Sequence, residues 1–430
     1  MPPHTSWAAR DRAVVWHGFT QMSCYLDNEP VIVAAGDGHE LIDTDGRRYL
    51  DGISSLWVTT LGHRVPELDQ ALRDQIDKVA HTTLLGHGNQ VVVELAEALS
   101  EVVPVDRPHF LFASDGAAAV EQALKIAFQY WTNQGVSGRT SYLALANAYH
   151  GDTMGSISLG AGGFGTDVFD PLRFPVVRAP GYETADWAVK AAALVDEHGP
   201  ELAAVVVEPL VQGAAGMLVT DPDAYGPLVD ACRRHDVLLI CDEVAVGFGR
   251  TGTLFASEQC GLRPDLMCLG KGLTGGYLPM SATVASQRVY DAFLGPDLSE
   301  KTFYHGHSFS GNALAAAVAL RHLQLFAEQD VLANVTARAE TLGRLLAEHI
   351  EPRAAVRDVR RRGLMTGVEL APPTDGLRWG RRVCAAAVRR AVLLRPLGDV
   401  VILMPPLTIS DAELERIVTT LADAIDEVCE

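Results

Sequence analysis

The sequence predicts an α/β protein with a mostly parallel sheet in a large domain and a smaller α+β domain beside it. Over residues 70–325, short apolar runs alternate with longer segments of helical periodicity, a pattern typical of a parallel sheet covered by helices. The apolar runs are rich in aliphatic and β-branched residues and end at polar or glycine positions, as buried strands do. After residue 325 the pattern changes to a few short strands among helices, which indicates a second domain.

Six apolar runs of the large domain have the length and composition of buried strands. They span residues 109–114, 141–147, 202–210, 237–243, 266–272 and 280–286. We expect helices from Ala117 to Asn133, from Ala224 to His235 and from Ala313 to Glu328, because those segments have helical periodicity. The alternation assigns residues 70–325 to one large domain.

The remaining residues are assigned to the smaller domain. In residues 326–430 we expect short strands and three helices, near 331–349, 377–390 and 411–428. Residues 1–69 are expected to join this domain, because "HELIDTDGRRYLDGI" is typical of two strands around a turn at Thr44 to Gly46.

Composition argues against several classes of function. The chain of 430 residues has a formal net charge of −19 and a pI near 5.1, which opposes binding to nucleic acid or to anionic membrane surfaces. Its seven cysteines never form a C-x-x-C pair, which favours free thiols in a reducing cytoplasm over disulfides or a zinc site. No signal-peptide pattern is found, and no stretch reaches the roughly 20 apolar residues of a membrane span. We therefore expect a cytoplasmic protein that binds no metal.

Three of the predicted strands end in an ionisable residue. Glu208 follows "AVVV", Asp242 follows "LLIC" and Lys271 follows "LMCLG". Each alone would be explained as the first solvated residue after its strand, but the carboxyl ends of parallel strands line one crevice, so we expect the three side chains to converge. A lysine between glycines suits Schiff-base formation with a carbonyl, and an aspartate on a neighbouring strand suits a protonated pyridine nitrogen. Together they predict a site for pyridoxal phosphate.

A phosphate site is expected where a helix begins. Ser114, Asp115 and Gly116 precede a strongly predicted helix, and the free N–H groups of its first turn can hold an anion. Beyond the next strand, Tyr149 and His150 could cover the cofactor ring by stacking. The alternatives are a well-capped helix without a ligand and a histidine with a structural role.

Two other enzyme classes fit the sequence less well. The segment "GAGGFG", residues 160–165, matches the dinucleotide-binding pattern, but Pro171 and Pro175 follow where that motif requires a helix. The segment "GHSFS", residues 306–310, lacks the second glycine of a hydrolase nucleophile elbow. The pattern therefore favours neither an oxidoreductase nor a serine hydrolase.

Four motifs, taken in order, resemble those of a known enzyme family. The stretches "EPLVQGAAGM", "CDEVAVGFGRTGTLFA", "PDLMCLGKGLTGGYLPMSA" and "YHGHSFSGNALAAAVAL" are similar to the class III aminotransferases, pyridoxal phosphate enzymes of fold type I. The resemblance covers nearly the whole chain. It implies a seven-stranded, mostly parallel sheet in the large domain and a homodimer with shared active sites.

Within that family the resemblance is strongest to the 7,8-diaminopelargonic acid synthases (8-amino-7-oxononanoate aminotransferases) of biotin biosynthesis. The stretches that carry it are "LDGISSLWVTTLGH", "HTTLLG", "AYHGDTMGSISLGA" and "LLRPLGDVVILMPPL". It implies transamination of 8-amino-7-oxononanoate to 7,8-diaminononanoate. The alternative is another class III enzyme that acts on a diamine or an ω-amino acid with pyruvate or 2-oxoglutarate as acceptor.

The resemblance also implies a role for each matching residue at the cofactor. Lys271 would bind pyridoxal phosphate as a Schiff base and move the substrate proton, and Asp242 would pair with the pyridine nitrogen. The other implied contacts are Gly116 and Ala117 at the phosphate, Tyr149 and Val244 on the two ring faces, Gln212 near the ring hydroxyl, Glu208 as a structural or ring-orienting carboxylate, and Ser308 of the partner subunit at the phosphate. Many relatives read "SDSG" where this chain reads "ASDG", which affects the register of the phosphate contacts.

Substrate contacts are implied in the same way. Arg395 would bind the substrate carboxylate and Trp57 would line the substrate channel, with Phe19, Tyr149, Gly306 and His307 completing the set. Relatives that use S-adenosylmethionine read "WHPYT", "SSWW" and "HGPTF" where this chain has Phe19, Leu56 and His307. These changes remove an aromatic wall and a phenol hydroxyl and resemble the branch that uses L-lysine. We therefore expect lysine, rather than S-adenosylmethionine, as the amino donor.

Overall fold

A computed structural model of the chain describes residues 6–160, 165–371, 374, 376 and 378–429. Its α-helices span Trp7–Val14, Ser54–Trp57, Pro66–Ile76, Gln90–Ser100, Gly116–Asn133, Met154–Leu159, Trp187–His198, Gly226–His235, Ala256–Gln259, Gln287–Asp291, Ala313–Glu328, Val331–His349, Trp379–Arg389 and Asp411–Cys429. Among the described residues, none of these helices combines the length with the apolar character that a membrane crossing requires.

A seven-stranded sheet forms the centre of the molecule. Its strands lie side by side in the order His109–Ala113, Ser281–Ala285, Leu266–Leu269, Leu238–Asp242, Leu202–Val207, Ser141–Leu145 and Val177–Ala179. Ser281–Ala285 runs antiparallel to both of its neighbours, and the other neighbouring pairs are parallel. The mostly parallel seven-stranded sheet is therefore confirmed. The strand Val177–Ala179 was missed because three residues are too few for a periodic pattern.

The sheet is buried on both faces, because successive side chains of a strand point in opposite directions. Leu238 and Ile240 pack in the cluster that contains the helix Gly116–Asn133. Leu239 and Cys241, which alternate with them, pack in the opposite cluster, where two other helices of the domain lie. Helices therefore cover both faces, and the ligand crevice is left to the carboxyl ends of the strands.

Two smaller four-stranded sheets lie outside the central sheet. One contains, in order, Val33–Asp37, Glu40–Asp43, Arg48–Asp51 and Val392–Leu393, and the other contains Val356–Arg362, Met365–Leu370, Val400–Leu403 and Arg395–Leu397. A two-stranded ribbon pairs Val211–Gln212 with Leu218–Val219.

The expected hairpin with its turn at Thr44 to Gly46 is present, and its second strand, Arg48–Asp51, runs parallel to Val392–Leu393 near the other end of the chain. This pairing supports the grouping of residues 1–69 with residues 326–430, and the boundaries of the domains stay predictions.

The predicted helices agree with the observed ones to within two residues at either end. Two segments discussed in the sequence analysis are only partly described. Residues 161–164 of the "GAGGFG" segment and residue 377 of the predicted helix 377–390 lie outside the described residues. Where the segment continues, Gly165 precedes a 3-10 helix, Thr166–Leu172, that contains Pro171.

Candidate active site

A cavity of about 820 Å³ opens at the carboxyl ends of the central strands. Glu208, Asp242 and Lys271 all line it, although they follow three different strands. Those strands are adjacent and parallel in the sheet, which brings their ends together. The expected convergence of the three ionisable side chains is confirmed.

Lys271 occupies a restrictive backbone position at the floor of this cavity. Its φ is +39°, and it begins the short 3-10 helix Lys271–Thr274. A Cβ atom on Gly272 would lie 2.9 Å from Cβ of Phe248, so a glycine is required there for close packing. The Nζ atom of Lys271 lies 5.0 Å from the centre of the Trp57 ring. Burial lowers the pKa of this amine below its ordinary value, which favours the neutral, nucleophilic form.

Asp242 is almost completely buried, and its carboxylate is fixed at both oxygens. Oδ2 lies 2.7 Å from Nδ1 of His150, and Oδ1 accepts a hydrogen bond of 3.0 Å from the backbone N–H of Val244. Because a carboxylate only accepts, Nδ1 of His150 carries the proton. Each oxygen keeps capacity for a further hydrogen bond from a group in the cavity.

Glu208 is held on the neighbouring strand end. Its two oxygens accept hydrogen bonds from the backbone N–H groups of Tyr149, at 3.1 Å, and Gly213, at 3.2 Å. Burial raises the pKa of Glu208 to about 7. The residue ties two loops of the cavity wall to the end of its strand.

Glu243, the carboxylate next to Asp242, has a different role. Its oxygens accept hydrogen bonds from the backbone N–H groups of Ala256, at 3.0 Å, and Ser257, at 2.7 Å, where the helical turn Ala256–Gln259 begins. Burial raises the pKa of Glu243 also to about 7. Only Asp242 of the adjacent pair lines the cavity, and Glu243 caps a helix.

The expected phosphate site lies at the rim of the same cavity. Asp115 caps the helix Gly116–Asn133 by accepting a hydrogen bond of 2.9 Å from the N–H of Ala118, and Gly116 and Ala117 line the cavity. A Cβ atom on Gly116 would lie 2.5 Å from a methyl group of Val244. Glycine at position 116 is therefore required for Val244 to pack against the start of the helix, whose free N–H groups suit an anion.

The substrate side of the cavity is mostly apolar. Phe19, Leu56, Trp57 and Arg395 line it, together with Tyr149, whose pKa is raised by burial. The Arg395 guanidinium makes no ion pair with any residue that the structure describes. A cation in a mostly apolar cavity wall suits a ligand that carries a carboxylate on an aliphatic chain.

Gln212 requires a correction. Its side-chain oxygen accepts a hydrogen bond from the N–H of Tyr182, and its amide nitrogen donates to the carbonyl of Ala146, at 3.1 and 2.7 Å. Both ends of the amide are thus occupied by backbone groups, and the residue is not among those that line the cavity. Gln212 joins two loops behind the site, and its side chain does not reach the cavity in which the ring was expected.

Three further expected residues are not among those that line the cavity of their own chain. They are Gly306, His307 and Ser308. Nε2 of His307 lies 2.9 Å from Oγ of Ser114, and the carbonyl of Ser308 accepts a hydrogen bond from His81. His307 therefore contacts a lining residue, Ser114, from behind, and none of the three residues borders the cavity itself.

Two side chains that the sequence left unassigned belong to the site or support it. Asp152 lines the cavity with Tyr149, and its negative charge adds to the effect of burial in raising the pKa of the Tyr149 hydroxyl. The fully buried Arg250 donates to the carbonyls of Pro405 and Thr59, at 2.6 and 2.8 Å, and so joins both ends of the chain to the loop after Asp242. Two features of the sequence could have pointed to these roles. They are the acidic residue Asp152 in "AYHGDT" and the arginine Arg250 in "VGFGRTG".

The arrangement fits pyridoxal phosphate. A buried amine, a carboxylate with spare accepting capacity and a helix N-terminus cleared by Gly116 surround one cavity. No group of three or more possible metal ligands occurs among the described residues. On this sheet, such a site defines a pyridoxal phosphate-dependent enzyme of fold type I.

Comparison with known proteins identifies the family. The model of the family "Aminotransferase class-III" matches residues 24–425. The chain belongs to this family, and it is therefore a pyridoxal phosphate-dependent aminotransferase. The adenosylmethionine-8-amino-7-oxononanoate aminotransferase of Nitratidesulfovibrio vulgaris is 48% identical over 98% of this chain and 81% of its own length. The corresponding enzyme of Geobacter sulfurreducens is 40% identical over 100% and 99%.

Solved structures support the same family. The crystal structure of adenosylmethionine-8-amino-7-oxononanoate aminotransferase from Methanocaldococcus jannaschii superposes with a TM-score of 0.94 at 37% identity, over 97% of this chain and 98% of that one. An amine transaminase from an uncultivated Pseudomonas species, in its PLP-bound form, has a TM-score of 0.89 at 33% identity, over 96% and 99%.

Proposed function

We propose that the protein transfers an amino group to 8-amino-7-oxononanoate and so forms 7,8-diaminononanoate, a step of biotin biosynthesis. The observation that carries the proposal is the combination, in one cavity, of Lys271 and Asp242 with an apolar wall and the unpaired Arg395. The acceptor has a carboxylate at one end of an aliphatic chain, which this arrangement fits. The names of the relatives in Nitratidesulfovibrio, Geobacter and Methanocaldococcus give the same acceptor.

The residues around the cofactor have separate tasks. When bound, pyridoxal phosphate supplies an electron sink for the carbon atom that loses a proton. Lys271 would hold the cofactor through Nζ and, once the substrate amine has displaced it, would move the proton between the substrate carbon and the cofactor carbon, a role that a lowered amine pKa favours. Asp242 would keep a proton on the ring nitrogen, and His150 orients its carboxylate. Gly116 and Ala117 present backbone N–H groups to the phosphate.

The walls of the cavity position the ring and the substrate. Tyr149 and Val244 both line the cavity and are proposed to enclose the ring between them. Arg395 binds the acceptor carboxylate, and Trp57 and Phe19 border the aliphatic chain. Apolar surroundings keep water from the proton that moves through Lys271.

The experiment that tests this function is an end-point assay with 8-amino-7-oxononanoate as the acceptor. Formation of 7,8-diaminononanoate, detected by mass spectrometry, is expected with L-lysine or S-adenosylmethionine as the donor. Putrescine and 4-aminobutyrate, each with pyruvate or 2-oxoglutarate, serve as the competing pairs. Faster transfer in those pairs, with no diaminononanoate formed, would establish another class III aminotransferase activity instead.

We propose a homodimer in which the loop of Gly306, His307 and Ser308 reaches the partner's site. The loop does not line the cavity of its own chain, and large apolar side chains near it are exposed, including Leu85, Tyr304 and Phe309, each at least 60% exposed. His81 contacts both Phe309 and the carbonyl of Ser308, so these residues form one surface. Exposed apolar surface of this kind is typical of an interface between subunits.

A complementation experiment tests the shared site. Lys271→Ala and Ser308→Asp chains are each expected to be inactive, the second because a carboxylate repels the phosphate. Refolding the two together should restore activity, since one site of each mixed dimer then has Lys271 and a normal partner loop. A monomer in light scattering, or no recovery in mixtures, would contradict the proposal.

We also propose a cytoplasmic location. Cys232, Cys241, Cys268 and Cys384 are buried free thiols, as expected for a protein in a reducing compartment. Cell fractionation of a tagged chain is the test, and recovery outside the cytoplasmic fraction would contradict it.

A further inference from the structure

The turn that carries Trp57 into the cavity is strained. Ser54, Ser55 and Trp57 have φ angles of +53°, +59° and +64°, and the ψ of Ser55 is −86°. Residues other than glycine seldom adopt this part of conformational space, and three within four positions must be held by their surroundings. Such strain is typical of segments whose geometry has a function.

Asp51 holds this turn from its inner side. Its side chain is completely buried, and Oδ1 accepts a hydrogen bond of 3.2 Å from the N–H of Ile53. Oδ2 accepts two more, 2.8 Å from the N–H of Ser55 and 2.9 Å from Nε2 of His63. A second connection joins Oγ of Ser54 to the carbonyl of Met404 at 2.7 Å. One carboxylate therefore satisfies two backbone groups of the strained turn.

The turn leaves Trp57 little freedom. The indole is buried, borders the cavity, and has the Lys271 amine 5.0 Å from its ring centre. A Cβ atom on Gly213 would lie only 3.3 Å from Cζ3 of the ring, so the indole is packed closely against that backbone. A small rotation of the turn would therefore move the ring toward the space above Lys271.

We propose that Asp51 is a positioning residue, which holds the strained Ser54–Trp57 turn so that the Trp57 ring borders the substrate space beside Lys271. The proposal rests on the function proposed above for the identity of the substrate. Asp51 itself touches neither cofactor nor substrate. It is absent from the cavity lining, and its effect passes through the backbone of residues 53–57.

The first test compares Asp51→Asn with Asp45→Asn, a matched change at an exposed position of the nearby hairpin turn. The amide nitrogen of asparagine is a donor and would face a backbone N–H group, which is also a donor. One hydrogen bond to the turn is therefore lost. We expect KM for 8-amino-7-oxononanoate to rise about tenfold or more with a small change in kcat, while the control keeps both values. The visible absorption of bound cofactor should stay unchanged, because Lys271 and Asp242 are intact.

The second test is a rescue. Glycine adopts positive φ without strain, so adding Ser55→Gly to Asp51→Asn should return most of the lost affinity. Crystal structures provide a readout that needs no substrate. In Asp51→Asn the Trp57 ring should leave its position 5.0 Å from Nζ of Lys271, and the double variant should restore it. If Asp51→Asn fails to fold, His63→Ala, which removes one of the three hydrogen bonds, should move KM and the ring in the same direction.

The outcomes separate the two proposals. Wild-type enzyme without activity on 8-amino-7-oxononanoate would overturn the proposed function, and the position of the Trp57 ring would still decide the role of Asp51. A variant that melts at a lower temperature but keeps the Trp57 ring in place and the KM unchanged would overturn the positioning role. Failure of Ser55→Gly to restore the ring position and the affinity would overturn it as well.

Discussion

Nδ1 of His150 lies 2.7 Å from a carboxylate oxygen of Asp242, and both side chains are buried. The two residues are 92 positions apart in the chain and meet at the end of the central strand. The other nitrogen of His150 has no hydrogen-bond partner among the described residues, so the interaction with Asp242 is what fixes the ring. His150 thus belongs to the site through Asp242, as a group that orients the carboxylate.

Asp242→Asn should lower kcat by roughly 100-fold or more and leave the fold intact. An amide cannot hold a proton on the ring nitrogen by charge, and removal of one preorganised electrostatic contact costs ~10²–10³ in rate. Steady-state kinetics of diaminononanoate formation measure the loss. Asp230→Asn, at an exposed helical position, is the matched control and should retain full activity. A near-normal rate in Asp242→Asn would remove the residue from this role.

Lys271→Ala should abolish transamination and alter the visible absorption of the bound cofactor. The alanine cannot form the covalent link to pyridoxal phosphate, and no other amine takes over proton transfer, so a loss of at least ~10⁴ in rate is expected. An absorption spectrum of the purified variant and a single-turnover assay measure the two effects. Lys190→Ala, at an exposed position, serves as the control. Transamination at the wild-type rate in Lys271→Ala would contradict the assignment.

In cofactor-free protein, Lys271→Met should raise the melting temperature at neutral pH. Burial lowers the pKa of the Lys271 amine in the folded state, whereas the unfolded chain keeps the ordinary value of 10.5. The unfolded state therefore binds more protons between the two values, and the stability of the wild type rises with pH across that window. The advantage of methionine should shrink as pH rises toward 10.5, as thermal melts at several pH values would show. An advantage that grows with pH would contradict the sign of the shift.

Arg395→Ala should raise KM for 8-amino-7-oxononanoate by about 10- to 100-fold, because a charge-assisted hydrogen bond contributes ~1.5–3 kcal/mol. Arg395→Lys should recover only part of the loss, since lysine lacks the two-pronged geometry of the guanidinium. Initial rates with each substrate varied in turn measure the effect, and Arg344→Ala, at an exposed helical position, is the control. An equal rise in KM for the amino donor would argue against recognition of the acceptor carboxylate.

The choice of amino donor should depend on the aromatic wall near residues 19 and 56. Phe19 and Leu56 both line the cavity, and the expectation from the sequence is L-lysine, although the names of several relatives give adenosylmethionine. Diaminononanoate formation should be measured with each donor separately at saturating acceptor. Leu56→Trp together with Phe19→Tyr should increase the relative rate with S-adenosylmethionine, because a cation over an aromatic face gains about 0.5–2 kcal/mol. Activity with S-adenosylmethionine and none with lysine in the wild type would refute the lysine prediction.

The sequence was sufficient for six of the seven strands of the central sheet and for the residues at their ends. Strand period, glycine positions and capping residues are local properties, and they predicted where each strand ends. Because parallel strands end at one edge of a sheet, Glu208, Asp242 and Lys271 were expected to lie together. The helix start at Gly116 followed from the same local chemistry. The aminotransferase family followed from four ordered motifs.

Tertiary structure alone decided which neighbouring polar group faces the cavity. Asp242 and Glu243 are adjacent, yet one lines the site and the other caps Ala256–Gln259, because the end of the strand turns their side chains toward different partners. Gln212 lies in a family motif, but backbone groups of Tyr182 and Ala146 use its amide. The hydrogen bonds of His150 with Asp242 and of Asp51 with Ser55 follow from chain packing and backbone strain. No local pattern encodes them, since each depends on where the rest of the chain folds.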